Sequence, residues 1–390
     1  MADILSPELP PAAEPSRTRI TAAWSMDETQ AVSTLLDQAE LPSAQAELVL
    51  AQAEELVARV RAKAADQSAV ESFMRQYDLS SEEGVLLMCV AEALLRIPDR
   101  LTADKLIRDK LGEADWKRHL GTSDSLFVNA STWGLMLTGR LVNLADSTRR
   151  DAAGAIKRLI ARAGEPVIRL AVRRAMRIMG HQFVMGRNIE EALDRSAKGD
   201  NAAFRYSYDM LGEAALTAPD ARRYFQAYAD AIVALGQRGP WADVREAPSI
   251  SVKLSALHPR YEVAKRERVH VELTALLLQL AQLAKQHGIG MTVDAEEADR
   301  LELSLDIIGA VFAAKSLEGW NGFGLAVQAY QKRAPFVIDW LAETARKANR
   351  RWCVRLVKGA YWDSEIKRAQ ELGLSGYPVF TRKPNTDVSY

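Results

Sequence analysis

Ile250-Ser251-Val252-Lys253-Leu254-Ser255 and Met291-Thr292-Val293-Asp294-Ala295 are the two stretches on which the fold turns. Successive residues of a strand point to opposite faces. Read as strands, the first puts Ile250, Val252 and Leu254 on one face and Lys253 between two serines on the other. The second puts Met291, Val293 and Ala295 on one face, with Asp294 and Thr292 opposite. Two further runs repeat the pattern. In Phe323 to Tyr330, the residues Phe323, Leu325, Val327 and Ala329 alternate with Gly324, Ala326, Gln328 and Tyr330. In Trp352 to Gly359, Arg355 opposes Val354 and Leu356. Each run ends near a polar residue, Lys253, Asp294, Gln328 or Arg355, and each is followed by a helical pattern. Apolar faces of this kind can pack on surrounding helices and leave the polar faces turned to a common axis. Barrel enzymes place their active sites at that end of their strands.

The segments between the runs carry helical signals. Arg266 to Gln286 holds Val269, Leu273, Leu276, Leu277, Leu280 and Leu283 near one stripe before Gly288 stops it. Asp299 to Phe312 has Leu301, Leu305, Ile308 and Phe312 at helical spacing. Pro335 opens the next helix, where a missing N–H costs nothing, and Asp363 or Ser364 can cap another that closes near Gly373. An earlier unit fits Phe204 to Leu211 as a strand and Ala221 to Leu235 as a helix. Strands and helices alternating in this way predict parallel βα units.

With 390 residues, 48% of them hydrophobic, the chain can bury one large core and a smaller one. Its formal net charge is zero, so nothing global favours nucleic acid or an anionic membrane. Cys89 and Cys353 form no CxxC pattern, and the five histidines show no HExxH spacing, so the sequence supports no metal site and a reducing cytoplasm is the simplest setting. No apolar run of membrane-spanning length occurs. Residues 1–20, with Pro7, Pro10, Pro11 and Pro15, lack apolar periodicity and are predicted to be disordered. Residues 21–65 predict a helical arm broken at Pro42, 66–185 a helical domain, and 186–390 the barrel.

Arg169, Arg173, Arg174 and Arg177 are open to two readings, a nucleic-acid or lipid face and an ion-paired helix face. The zero net charge and the lack of interleaved aromatics favour the second, and no nucleic-acid partner is expected. Gly322-Phe323-Gly324 lacks the third glycine of a dinucleotide fingerprint and reads as a turn. At the strand ends, Lys253 and Asp294 could form a structural ion pair, and Gln328 or Arg355 could satisfy backbone groups. A lysine, an arginine and an amide converging on one place suit an anionic or phosphate-bearing ligand.

Five strings are more specific. They are Tyr208-Asp209-Met210-Leu211-Gly212-Glu213-Ala214-Ala215-Leu216-Thr217, Lys253-Leu254-Ser255-Ala256-Leu257-His258-Pro259-Arg260-Tyr261, Asp294-Ala295-Glu296-Glu297-Ala298-Asp299-Arg300, Gln328-Ala329-Tyr330-Gln331-Lys332-Arg333 and Arg355-Leu356-Val357-Lys358-Gly359-Ala360-Tyr361-Trp362-Asp363. In order and in kind they resemble the proline dehydrogenase family, in the form found in bacterial proline utilization A. The resemblance covers roughly residues 200 to 390, and the helical region before it more loosely.

The resemblance implies an FAD-dependent (β/α)8 barrel, of the TIM type, that oxidises L-proline to Δ1-pyrroline-5-carboxylate and passes electrons to a quinone. By carry-over, Lys253 faces the proline carboxylate and Asp294 orders the pocket and contacts the flavin. Gln328, Arg355, Val357, Lys358, Gly359, Tyr361, Trp362 and Thr381 lie along the flavin and its ribityl-phosphate chain, with Tyr361 also walling the proline site. Lys253, Asp294, Arg355 and Tyr361 form the implied catalytic set. Self-association through the arm and peripheral contact with the inner membrane are implied as well. A barrel of this type typically takes about 250 residues, and Phe204 to Tyr390 has room for about five and a half to six units. The barrel is therefore expected to be incomplete at Tyr390. The family's final helix, whose tyrosine and two arginines clasp the substrate carboxylate, is expected to lie beyond that point, and proline binding by this chain to be weakened. Two other classes fit a strand-end lysine or an alanine-rich arm: a Schiff-base aldolase using Lys253 or Lys358, and a non-catalytic oligomerisation protein.

Overall fold

The structure, a computed structural model, describes residues 14–63 and 184–390. The chain divides into two compact units, residues 1–45 with 199–390 and residues 46–198. The expected domain of residues 66–185 lies almost wholly outside the described residues. In the second unit, helix α4 (Ile189–Ser196) is capped by Asn188, whose side chain accepts the Glu191 N–H at 2.9 Å. The expected barrel boundary at 186 thus falls ahead of a helix that groups with the other unit.

The first unit is a βα repeat. Its strands β1 (Ser207–Asp209), β2 (Ser249–Val252), β3 (Gly290–Val293), β4 (Phe323–Gln328) and β5 (Cys353–Val357) are all parallel and lie in the order β1-β2-β3-β4-β5. The connecting helices are α5 (Ala218–Gly236), α6 (Leu254–Leu257), α7 (Arg266–Gln286), α8 (Leu301–Phe312) and α9 (Ala334–Ala348), followed by α10 (Trp362–Glu371) and α11 (Lys383–Ser389). Five βα units are present among the described residues, where the sequence spacing left room for up to six.

The register builds rows across the sheet. Val252 pairs with Val293, Val293 with Leu325 and Leu325 with Val354. This row points outward, and Val252, Val293 and Leu325 are buried against the helices together with Leu273, Leu277, Leu280 and Ile308. On edge strand β5, the outward residues Val354 and Leu356 are 43% and 37% exposed. The sheet is strongly curved. Five strands laid flat would set β1 and β5 on the order of 19 Å apart, yet Arg355 on β5 reaches the Ser207 hydroxyl on β1 at 2.9 Å. The inner-face residues therefore converge.

Several local expectations are corrected. The strand expected over Phe204 to Leu211 shrinks to the three residues Ser207–Asp209, because its two end residues find no apolar surface to pack on: Phe204 and Leu211 are 67% and 56% exposed. The run at Ile250 leaves strand conformation after Val252, and α6 starts at Leu254. Helix α10 begins at Trp362 with no side-chain cap, so Asp363 and Ser364 lie inside its first turn, where a carboxylate complements the positive helix end. The segment expected as an arm holds two helices, α2 (Glu28–Ala39) and α3 (Ser43–Lys63), with Pro42 in the break between them.

The disorder expected for residues 1–20 fails from Pro15 onward. Pro15 opens helix α1 (Pro15–Ala22), in which Ser16, Arg17 and Ile20 are buried. Arg17 donates to the Glu302 carbonyl at 2.9 Å, the Glu302 carboxylate at 3.0 Å and Asp306 at 2.9 Å, with its guanidinium 5.6 Å from the centre of the Trp340 ring. These bonds order a helix too short to show a hydrophobic period. Arg17→Ala is expected to lower stability by about 1.5–3 kcal/mol, since it deletes charge-assisted bonds from a buried side chain, while Glu302 keeps Thr21 and Asp306 keeps Arg266. Thermal melting of the variant beside the parent chain checks this, and an unchanged melting temperature would show that the Arg17 bonds do not anchor α1.

Candidate active site

Lys253 follows Val252, Asp294 follows Val293, Ala326 follows Leu325 and Arg355 follows Val354. Because the four preceding residues share one row, these four share the next row on the inner face. The Lys253 ammonium lies 2.9 Å from Asp294 Oδ2 and 2.9 Å from Asp209 Oδ1, at the end of β1. The other Asp294 oxygen accepts from Arg355 at 2.8 Å. Arg355 crosses over β4 to make that bond, and the small Ala326 beneath it leaves the passage open. Its second terminal nitrogen donates to Ser251 at 2.8 Å and Ser207 at 2.9 Å. Asp294 thus bridges two cations from two other strands.

The electrostatics set the protonation of the lysine. Burial pulls the Lys253 ammonium down, but the Asp294 and Asp209 carboxylates outweigh it and hold the group above the ordinary lysine value. Schiff-base chemistry needs the neutral amine, so this environment works against the aldolase alternative. Below the cluster, the backbone N–H of Lys253 donates to the Tyr228 hydroxyl at 3.2 Å, and burial pushes that phenol up to about 12.

Gln328 does not join the cluster. It sits two residues beyond Ala326, one row higher, and its amide is taken up by the Glu296 carbonyl at 2.9 Å and the Ala360 N–H at 3.2 Å. That is the backbone-satisfying role weighed as its alternative. The remaining candidates line the turn from β5 into α10. The Val357 and Lys358 carbonyls accept from Ala329 and Tyr330, both at 2.7 Å. The Lys358 ammonium pairs with Asp387 on α11. Gly359 has φ +140°, and a Cβ there would come within 2.4 Å of the Tyr330 ring, so only glycine fits. Burial raises the Tyr361 phenol, reinforced by Glu213, Glu296 and Glu297. The Trp362 indole donates to the Phe380 carbonyl at 2.9 Å. Thr381 lies apart from the cluster, its N–H held by Glu28 of α2 at 3.0 Å.

Asp209, Ser207 and Ser251 belong to the cluster but were given no role from sequence. The serines flank polar positions on the inner face of adjacent strands, and Asp209 ends β1 as Asp294 follows β3; that parallel was the available signal.

A curved parallel sheet, its strands followed by helices and its inner row charged at the C-terminal strand ends, defines an α/β protein. Comparison with known proteins narrows this. Residues 192–390 match the family model described as proline dehydrogenase, and 14–61 match the proline utilization A proline dehydrogenase N-terminal domain. The chain belongs to the proline dehydrogenase family. It is 54% identical over 377 residues to the bifunctional protein PutA of Klebsiella aerogenes, covering 96% of this chain and 29% of that protein. The PutA of Escherichia coli K12 is 53% identical over 380 residues, with 96% and 28% covered. A crystal structure of Bradyrhizobium japonicum proline utilization A aligns with a TM-score of 0.68 at 47% identity, over 98% of this chain and 37% of that one. The chain thus spans less than a third of the length of these two curated relatives.

Residues 69–183 match a model described as the DNA-binding domain of proline dehydrogenase. That match stands against the expectation of no nucleic-acid partner, and it contains Arg169, Arg173, Arg174 and Arg177, which lie outside the described residues. Among the described residues no group of His, Cys, Asp and Glu could hold a metal ion, and no helix is long and apolar enough to cross a membrane.

Proposed function

We propose that this chain carries an FAD-dependent site that oxidises L-proline to Δ1-pyrroline-5-carboxylate, on a (β/α)8 barrel to which residues 199–390 contribute five strands. Electrons would pass to a quinone, in a cytoplasmic protein that contacts the membrane peripherally and self-associates through its helical arm. The observation that carries this reading is the Lys253–Asp294–Arg355 cluster inside the segment that matches the proline dehydrogenase family.

The residues present fit a flavin dinucleotide. Arg355 and Lys358 are cations 36% and 48% exposed on one strand and the turn after it, and Gly359 carries the chain around with φ +140°. Cations at a strand end suit phosphate and the electron-rich reduced ring. Arg355, Lys358, Gly359, Tyr361, Trp362 and Thr381 would hold it, with Gln328 and Val357 shaping the wall. When bound, the flavin would accept the hydride leaving the ring carbon beside nitrogen, chemistry that no side chain here can supply.

The chain's own residues supply orientation and charge. An ammonium has three N–H donors; Asp209 meets Lys253 through both carboxylate oxygens, at 2.9 and 3.1 Å, and Asp294 through one at 2.9 Å. The proline carboxylate would take the place of the longer Asp209 contact, with Tyr361 closing the pocket beside it. Asp294 keeps Lys253 protonated and holds Arg355 in place. Lys253→Met keeps the length and removes the charge. It is expected to raise the KM for L-proline roughly 10- to 100-fold, the loss of one charge-assisted hydrogen bond, while flavin binding persists. Steady-state kinetics with a dye acceptor, together with flavin content, read both; an unchanged KM would exclude Lys253 from substrate binding.

A further inference from the structure

The loop that carries Asp294 is held by buried side chains from distant parts of the chain. Ala298 is fully buried. Its N–H donates to Glu365 Oε1 at 2.6 Å, and its carbonyl accepts from Arg333. Glu365, on α10, and Arg333, between β4 and α9, are each 2% exposed. Arg333 also donates to Gln331 Oε1 at 3.0 Å. Two residues earlier, the Glu296 carboxylate accepts the Ser255 N–H at 3.1 Å, and its carbonyl accepts from Gln328. A buried carboxylate is a costly way to satisfy one amide of a short loop, since a neutral acceptor would serve. The cost is understandable where position matters: Asp294, four residues from Ala298, must meet two cations at 2.8 and 2.9 Å.

We propose that Glu365 and Arg333 are positioning residues, which grip Ala298 by both its backbone groups and so set where Asp294 stands between Lys253 and Arg355. The inference rests on the proposed proline oxidation and deepens it. Glu365 lies four residues after Tyr361 on the turn that carries Lys358 and Gly359. The clamp therefore ties the flavin side of the site to the loop that orders the proline side, so that neither moves alone. Arg333 supplies the second grip and balances the buried charge; burial lowers its guanidinium to about 10, against the pull of Glu302 and Glu365.

The test compares Glu365→Ala with Glu365→Gln in the full chain, reading the KM and kcat for L-proline and hydrogen exchange of the peptide covering 294–300. Glutamine keeps an acceptor oxygen for the Ala298 N–H and alanine does not. Glu365→Ala is expected to raise KM about tenfold or more with kcat within about threefold, because a displacement well under 1 Å is enough to impair a positioned group. The same variant is expected to lose exchange protection in the loop, and Glu365→Gln to restore both. A wild-type KM in Glu365→Ala, a raised KM with unchanged loop exchange, or a glutamine variant as impaired as the alanine one would each overturn the proposal. If the unsubstituted chain fails to oxidise proline, the functional reading falls by itself. Loop exchange then decides the clamp, and unchanged protection in Glu365→Ala refutes it.

Discussion

Asp294→Ala is expected to reduce kcat/KM for proline oxidation by roughly 100- to 10,000-fold. The variant deletes two charge-assisted hydrogen bonds, to Lys253 at 2.9 Å and to Arg355 at 2.8 Å. Each contributes about 1.5–3 kcal/mol, and each 1.4 kcal/mol is about tenfold in rate. The loss is expected in activity and not in folding. Lys253 keeps Asp209, and Arg355 keeps Ser207 and Ser251, so neither cation is left without an acceptor. Asp294→Asn, which keeps shape and one acceptor oxygen, is expected to fall between the variant and the parent chain. Steady-state rates paired with chemical denaturation separate the two effects, and activity within tenfold of the parent would remove Asp294 from the site.

Gly324→Ala is expected to act on stability instead. A Cβ at Gly324 would lie 1.7 Å from the Cys353 carbonyl oxygen and 2.6 Å from its carbon. Those atoms belong to the neighbouring strand, at a position where Gly324 and Cys353 are register partners, so no side-chain rotation relieves the clash. Overpacking commonly costs about 1–3 kcal/mol, and a backbone obstruction sets the expectation at about 3 kcal/mol or more, with β5 and its Arg355 displaced. Gly376 is the control, because the nearest atom to a Cβ there is 3.7 Å away. A Gly324→Ala midpoint in urea equal to that of Gly376→Ala would show that β4 and β5 do not pair in this register.

The sheet and the central cluster were legible because strand alternation is local. Val252-Lys253, Val293-Asp294 and Val354-Arg355 each announce an outward apolar residue followed by an inward charge, and the register stacks all three pairs in the same rows. Helix α7 likewise spans the expected Arg266 to Gln286, since six apolar positions on one stripe and a stop at Gly288 leave little freedom. Gln328 was placed with the cluster because sequence shows the face of a residue but not its height along the strand, and two residues carried it beyond reach. Asp209 and Glu365 stayed without roles because their partners lie 44 and 67 residues away, at distances set only by tertiary packing. Helix α1 was missed for the same reason. It has one turn's worth of buried residues, and its Arg17 bonds span 285 and 289 positions.

The most direct test of the central claim is an anaerobic absorbance titration of the purified chain, loaded with FAD, against L-proline. The expected result is a protein-bound flavin whose visible band bleaches as proline is added, and which in Asp294→Ala is bound but bleaches at least about 100-fold more slowly at matched proline concentrations. A flavin that remains oxidised at every proline concentration, or one bleached as fast in Asp294→Ala as in the parent chain, would contradict the account.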